Sequence, residues 1–283
     1  MTNKLTKQSV LQQASLQDRI FGILVRIFSG VMIALFVLPL LALIWRAVVL
    51  TRGGLDLGTD SLVSALSLSL ITTGISMLVM VLLGTPLAYL LSRHKFRFKK
   101  FVAVLVELPI VIPPVVAGLA LLSAFGRKGL LGSILTFLGI SLPFTPVAVI
   151  IAQLFVSSPF YIRAAQASFN AVSAEYEEAA RIDGADAWKT FRRIILPLSS
   201  PALLSGLLIS WARALGEFGA TVLFAGNIAG RTQTMSLLVY TALERDLGAT
   251  YTTALILLAL AAVLLGGTRL LTHLDNGESP LIY

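Results

Sequence analysis

Three ionisable residues stand inside long apolar runs, and they are the first places to look for chemistry. Glu107 lies in ELPIVIPPVVAG, and Arg213 and Glu217 lie four residues apart in WARALGEFGA. On one helix that spacing lets a guanidinium and a carboxylate pair across a turn. Charge at membrane depth is costly and usually faces a bundle interior or a wet cavity. The pair therefore reads either as a group near a path or a subunit interface, or as a self-neutralised pair that fixes helix packing. Other chemistry has little to work with. No G-x-x-x-x-G-K-[ST] loop is present, so the chain is not an ATPase. His94 and His273 lie near the ends of apolar runs without an H-E-x-x-H, and read as solvated or headgroup-level residues. No G-x-S-x-G elbow and no cluster of histidines and carboxylates can be drawn. There is no cysteine. No catalytic residue, bound cofactor or metal is expected.

The second informative stretch is EEAARIDGADAWKTFRRIILPLSSP, Glu177 to Pro201, the longest strongly polar segment between apolar ones. It carries Glu177, Glu178, Asp183 and Asp186 against Arg181, Lys189, Arg192 and Arg193. Gly184 stands where a short helix can end in a left-handed residue. Pro197 and Pro201 mark the start of the next apolar run, since proline is tolerated in a first helical turn. The plainer alternative is an amphipathic helix lying on a membrane surface.

The elements that must position these residues are membrane spans. The chain has 283 residues, 57% hydrophobic and 13% charged, where a soluble domain carries about 25% charged. Mean hydropathy is +0.88. The expected class is all-α integral membrane with six transmembrane helices. A polar tail, 1–26, precedes a first span at 27–45. Further runs cover about 62–91, 101–125, 144–165, 198–225 and 251–271, and residues 273–283 form a short tail. The segment 51–60 is a turn-rich outer loop, 126–143 a glycine-containing loop with a short interfacial helix, and 166–197 the inner loop that holds the polar stretch. Pro113-Pro114 inside the third run breaks backbone hydrogen bonding, which is tolerated where protein or a cavity satisfies it. The net charge of +8 is not clustered with aromatics as a nucleic-acid surface would be. It sits between spans. Fifteen Lys/Arg fall on the N-terminal side: four in the tail, five in 92–100, five from Arg163 to Arg193, and Arg269. The other side has Arg46, Arg52, Arg127, Lys128, Arg231 and Arg245. The excess places both termini and the polar loop in the cytoplasm.

On the far side of the fifth run, Gly216, Gly219 and Ala220 form a small-residue face suited to close helix contact. Gly226-Asn227 and Gly230 mark turns. Arg231, Thr232, Gln233 and Thr234 offer donors to an anion or a docking protein, or form a simple polar loop.

Glu178-Ala179-Ala180, three residues, Gly184, nine residues, then Ile194-x-Leu196-Pro197 resembles the EAA loop of permease subunits of type I ABC importers. The likeness covers about residues 60–272. It implies the type I importer permease fold, with span one an addition that wraps a partner. It implies ATP and Mg used by separate ABC ATPase subunits, an extracytoplasmic substrate-binding protein, a second copy of the chain and a cell-membrane location. Glu178, Ala179, Ala180, Gly184, Ile194 and Pro197 would then couple the loop to the ATPase. The alternative for Glu178 is an ion pair with Arg181 or Arg192. LPIVIPPVVAGLALLSAFGRKGLLG and Gly216-Glu217-Phe218-Gly219-Ala220-Thr221 are similar to molybdate-type permeases, and more loosely to sulfate permeases. Ala229 departs from the proline usual in their GNIPG turn. The resemblance makes Arg213, Glu217, Gly219, Thr221, Asn227, Arg231 and Thr232 candidates for a translocation path or gate. A sulfate or thiosulfate permease is the near alternative. A secondary transporter without an ATPase is the distant one, and it predicts inverted repeats and discontinuous helices with ion ligands.

Overall fold

The computed structural model describes the backbone of residues 2–51 and 59–275, with side chains for Arg19, 21–50 and 60–266. Most of the expected 51–60 loop and residues 276–283 of the expected tail lie outside the described residues. All described elements are helical. The first unit is a single helix, α1 (Thr2–Thr51), whose apolar part runs Phe21–Leu50. These thirty residues span about 45 Å at 1.5 Å each, more than the ~30 Å of hydrocarbon.

The second unit holds the remaining elements. Four of its helices are long and apolar enough to cross a membrane. These are α2 (Thr59–Arg93), the later-numbered Pro146–Ala171 and Leu247–Asp275, and a continuous stretch Ala187–Leu215. With α1 this makes five such helices among the described residues, not the expected six. The run at 101–125 is divided into α3 (Lys99–Val111) and α4 (Pro114–Phe125). The cause is local. Neither Pro113 nor Pro114 has an N–H to donate, and Ile112, before a proline, is extended at φ −71° and ψ 141°. Pro114 then sits at the first turn of α4, where a missing N–H is harmless.

A short helix, α5 (Gly132–Phe137), follows within the glycine-rich segment. Next comes α6 (Pro146–Ala171), capped by the Thr145 hydroxyl, which accepts from the Ala148 amide at 3.3 Å. Half of its apolar window is buried, against a third of that of α2, so α6 is the central element of this unit. It sits between two apolar clusters. One gathers Met80, Leu91, Tyr161, Phe169 and Ile195. The other gathers Ala117, Leu121, Val156, Ala220 and Phe224. Polar side chains stitch the same helices. Ser76 donates to Gln153 Oε1 at 3.0 Å, and Gln153 Nε2 donates to the Thr72 hydroxyl at 3.2 Å. Trp211 Nε1 donates to the Thr73 hydroxyl at 3.0 Å. In hydrocarbon such groups must find partners within the protein.

The polar loop contains α7 (Ala174–Ile182) and α8 (Ala187–Thr190). A π-turn, Phe191–Ile195, leads without interruption into α9 (Leu196–Leu215). Pro197 therefore does not begin a helix, as its position at the edge of an apolar run implies. The helix begins ten residues earlier, at Ala187, nearly three turns. The π-turn accommodates the proline: the Leu196 amide reaches back five residues to Phe191 O, shifting the ladder where Pro197 has no donor.

The run expected at 198–225 is also divided. After α9 ends at Leu215, residues 216–218 are unwound, and α10 (Gly219–Phe224) follows. The chain then forms α11 (Met235–Leu243) and α12 (Leu247–Asp275). Apolar composition does not reveal this break because its cause is a side chain, Glu217, folding back on the backbone.

Candidate functional site

The polar loop places its residues by local rules. The Ser173 hydroxyl accepts from the Glu175 amide at 3.3 Å, and Glu175 and Glu177 lie in the first turn of α7, where the helix dipole favours acids. At the other end Gly184 takes φ +77°, its amide donates to Arg181 O at 3.1 Å, and the Ala185 amide donates to Ala180 O at 2.8 Å. That pair of bonds is a Schellman ending, and its left-handed residue is the reason for a glycine. Asp186 then caps α8 by accepting from the Lys189 amide at 2.8 Å, with the Lys189 ammonium 3.3 Å away. The Lys189 amide, helped by the ammonium, holds the Asp186 carboxyl below the ordinary carboxylate range.

What the loop presents outward is specific. Glu178 and Ala179 are exposed, Ala180 is buried, Ile194 is half-buried and Pro197 is exposed. Glu178 takes part in none of the four ion pairs among the described residues, so it is not tied to Arg181 or Arg192. Beside it stand three large exposed side chains, Tyr176, Ile182 at 87% exposure and Trp188. Large apolar groups so open to water are candidates for a contact surface. Spacing alone did not single them out, because each is an isolated apolar residue in a polar segment.

The second locus is where two broken helices meet. A Cβ on Gly219 would lie 2.6 Å from Pro114 Cβ, and a Cβ on Gly118 would lie 2.9 Å from Ala220 O and from Leu223 Cβ. Two glycines thus let α4 and α10 pack backbone to backbone beside both breaks. Arg213 Nη1 lies 2.8 Å from Glu217 Oε2, with Glu217 1% and Arg213 31% exposed. The other carboxylate oxygen, Oε1, accepts from the Ala220 amide at 2.8 Å and so caps α10. The unwound Glu217 carbonyl accepts from the Ser236 hydroxyl of α11 at 2.7 Å. Thr221 is fully buried and its hydroxyl has no hydrogen-bond partner. Of the unwound residues Glu217 is buried, Phe218 half-buried and Gly216 exposed.

The polar turn beyond α10 is largely occupied by its own bonds. Asn227 Nδ2 donates to the Thr241 hydroxyl at 2.8 Å, and Gln233 Nε2 donates to Asn227 Oδ1 at 2.9 Å. The Thr232 hydroxyl accepts from the Ile228 amide at 3.1 Å. Thr232, Gln233 and Thr234 are buried, and of this group only Arg231 is exposed. The third intramembrane charge, Glu107, lies 3.6 Å from Arg163 Nε of α6, and the two are 49% and 59% exposed.

Comparison with known proteins follows the same lines. Residues 80–277 match the family described as binding-protein-dependent transport system inner membrane component. The chain is 41% identical over 209 residues to the molybdenum transport system permease protein ModB of Mycobacterium tuberculosis, covering 74% of this chain and 79% of that protein. It is 40% identical over 216 residues to the probable transport system permease protein NifC of Clostridium pasteurianum, covering 76% and 75%. It is 35% identical over 204 residues to the sulfate transport system permease protein CysT of Escherichia coli, covering 72% and 74%. Among solved structures, a bacterial alginate ABC transporter with its periplasmic protein aligns at TM-score 0.65 and 17% identity, over 87% of this chain and 96% of that one. The MetNI methionine ABC transporter, inward facing, aligns at TM-score 0.59 and 16% identity, over 77% and 98%. Both carry the fold alone. Discontinuous helices are present here, yet the family is that of binding-protein-dependent transport, so helix breaks do not by themselves mark a secondary transporter. The chain belongs to the inner membrane components of binding-protein-dependent transport systems, as a multi-pass membrane permease.

Proposed function

We propose that this permease forms the path for a tetrahedral oxyanion, molybdate or tungstate first, by alternating access driven through its cytoplasmic loop. The observation that carries the substrate is sequence likeness over three quarters of the chain to ModB, at 41%, against 35–39% for sulfate permeases of the CysT kind. The sulfate reading is the second, kept alive by that modest margin. Two copies of the chain would enclose one path, with two ATPases below and one binding protein above. In this reading α3 and α4 cross the membrane together as one interrupted span, since 13 and 12 residues give about 37 Å of helix. That makes six crossings and returns both termini to the basic, cytoplasmic side. Helix α7, with Glu178, Tyr176 and Ile182 outward, docks on the ATPase and moves with it as a rigid body. The paired breaks at 112–113 and 216–218, with Arg213, Glu217, Gly219 and Thr221 beside them, supply the gate, and Asn227, Arg231 and Thr232 lie at its outer end.

The test is ATP hydrolysis by the complex reconstituted with its binding protein, titrated with molybdate, tungstate and sulfate in turn. Stimulation by molybdate or tungstate, with sulfate inert, is the expected result. Stimulation by sulfate alone moves the substrate to the second reading and leaves the architecture standing.

A further inference from the structure

One guanidinium gathers the ends of three elements. Arg93 is the last residue of α2. Its Nη2 donates to the carbonyl of Val172, the residue that caps α6, at 2.7 Å. Its Nε lies 3.0 Å from Glu177 Oε1 on α7. The Arg93 and Glu177 side chains are only 18% and 17% exposed. The approach of Nε to Oε1 is not aligned as a hydrogen bond, so charge rather than direction holds it. Aromatic rings close the place from the membrane side. Tyr89 meets Phe169 at 5.9 Å and Phe191 at 4.9 Å, both edge-on, and Phe191 opens the π-turn that leads into α9. Arg93, Glu177, Tyr89, Trp188 and Phe191 share the wall of one cleft of about 530 Å³.

We propose that Arg93 is a positioning residue for coupling: with Glu177 it is the joint through which movement of α7 enters the membrane helices. The proposal rests on the reading of α7 as the ATPase-docking helix. Several features favour a rigid joint over a sliding one. The charges are shielded from water, so separating them exposes each uncompensated in a poor dielectric. The guanidinium meets the Val172 carbonyl through Nη2 and the Glu177 carboxylate through Nε, two positions that a single ammonium nitrogen cannot occupy together. The contrast with the loop's other pair is plain: Lys189 and Asp186 are 54% and 59% exposed and lie on one turn, so they bind α8 only to itself. Arg93 and Glu177 instead join segments 84 positions apart in the chain. When α7 is displaced, the ends of α2 and α6 travel with it.

The test uses the whole transporter in proteoliposomes: this chain, its ATPase and its binding protein. Uptake per ATP hydrolysed is the readout, because a merely structural loss lowers the amount of complex and not this ratio. Glu177→Gln is expected to lower the ratio about fivefold or more, in the range of ordinary coupling free energies. Arg93→Lys is expected to lower it as well, since one nitrogen cannot stand in both places. An unchanged ratio in both variants overturns the proposal. Because the chain has no cysteine, a second arm is available that does not depend on how those variants assemble. Arg93→Cys with Glu177→Cys, joined by a short bis-methanethiosulfonate linker, is expected to recover uptake relative to the unlinked pair. Uptake that falls on linking and returns on reduction means that the joint opens during the cycle, and overturns the proposal. The docking reading fails separately: Glu178→Cys that forms no cross-link to the ATPase sinks it, whatever the linker shows.

Discussion

At the scale of single residues, Arg213 and Glu217 are held to different standards by their surroundings. Glu217 is sealed in, with one oxygen on the Ala220 amide and the other facing Arg213, while Arg213 is about a third open. Removing the arginine leaves a buried carboxylate without its counter-charge. Arg213→Met is therefore expected to destabilise the purified permease by roughly 3 kcal/mol, the lower part of the range for breaking a buried pair. Adding Glu217→Gln is expected to recover most of this, because the amide still accepts from Ala220 without a charge to compensate. Thermal unfolding of the two variants in detergent checks it, and equal losses in both would place the stabilising contact elsewhere. Gly219 is a sterner case. Its nearest neighbour is a proline ring carbon 2.6 Å from where a Cβ would stand, and Pro114 cannot swing aside as a flexible chain can. Gly219→Val is expected to abolish uptake with the protein still inserted, read by transport and by membrane yield together.

At the scale of elements, both informative segments are interruptions. The α3–α4 break follows from two prolines that cannot donate, and the π-turn before α9 follows from a third. The α7 ending follows from one left-handed glycine. Gly184→Val puts a β-branched residue at φ +77°, a conformation that disfavours an L side chain by about 1–2 kcal/mol and a β-branched one more. The turn then redirects α7 relative to α8. The expected outcome is ATP hydrolysis that persists while uptake falls about tenfold, the effect of roughly 1.4 kcal/mol of lost coupling. Glu178→Lys is expected to act in the same sense by reversing charge on the exposed docking face. Full uptake by both variants would remove α7 from the coupling path.

At the scale of the whole molecule, the half-exposed pair Glu107–Arg163 bears on which face meets water. Each residue lies eight positions from the inner end of its helix, about 12 Å along the axis. Charges so placed and so open do not face lipid tails. They are expected to face water or another protein chain. On a cysteine-free background, Glu107→Cys and Arg163→Cys are expected to react with a charged, membrane-impermeant thiosulfonate added from the cytoplasmic side. Failure to react even with a membrane-permeant maleimide would place this face against lipid, where the thiol stays protonated. Many large apolar side chains of the second unit, among them Leu82, Leu83, Val111 and Val147, are also exposed in the single chain, as lipid and partner contacts require.

The amino-acid sequence by itself determined whatever depends on neighbours along the chain. Apolar run length sets the first, second, fourth and sixth runs as continuous helices, and the uneven spread of Lys and Arg sets the expected orientation. Pro113-Pro114 sets one break, and Gly184 sets the end of α7, because a missing N–H and a left-handed φ are local demands. The polar loop and its permease character were legible in Glu178-Ala179-Ala180, Gly184 and Ile194-x-Leu196-Pro197. Only tertiary structure decided what depends on partners distant in sequence. The 216–218 break rests on a carboxylate capping α10 and a serine from α11, which apolar composition does not register. The inward use of Thr232 and Gln233 rests on Ile228, Asn227 and Thr241 closing around them. The Arg93–Glu177 joint rests on α2, α6 and α7 converging. Periodicity reports the demands of a helix on its own residues, whereas a contact between helices is settled by packing, which brings together charges that no spacing rule connects.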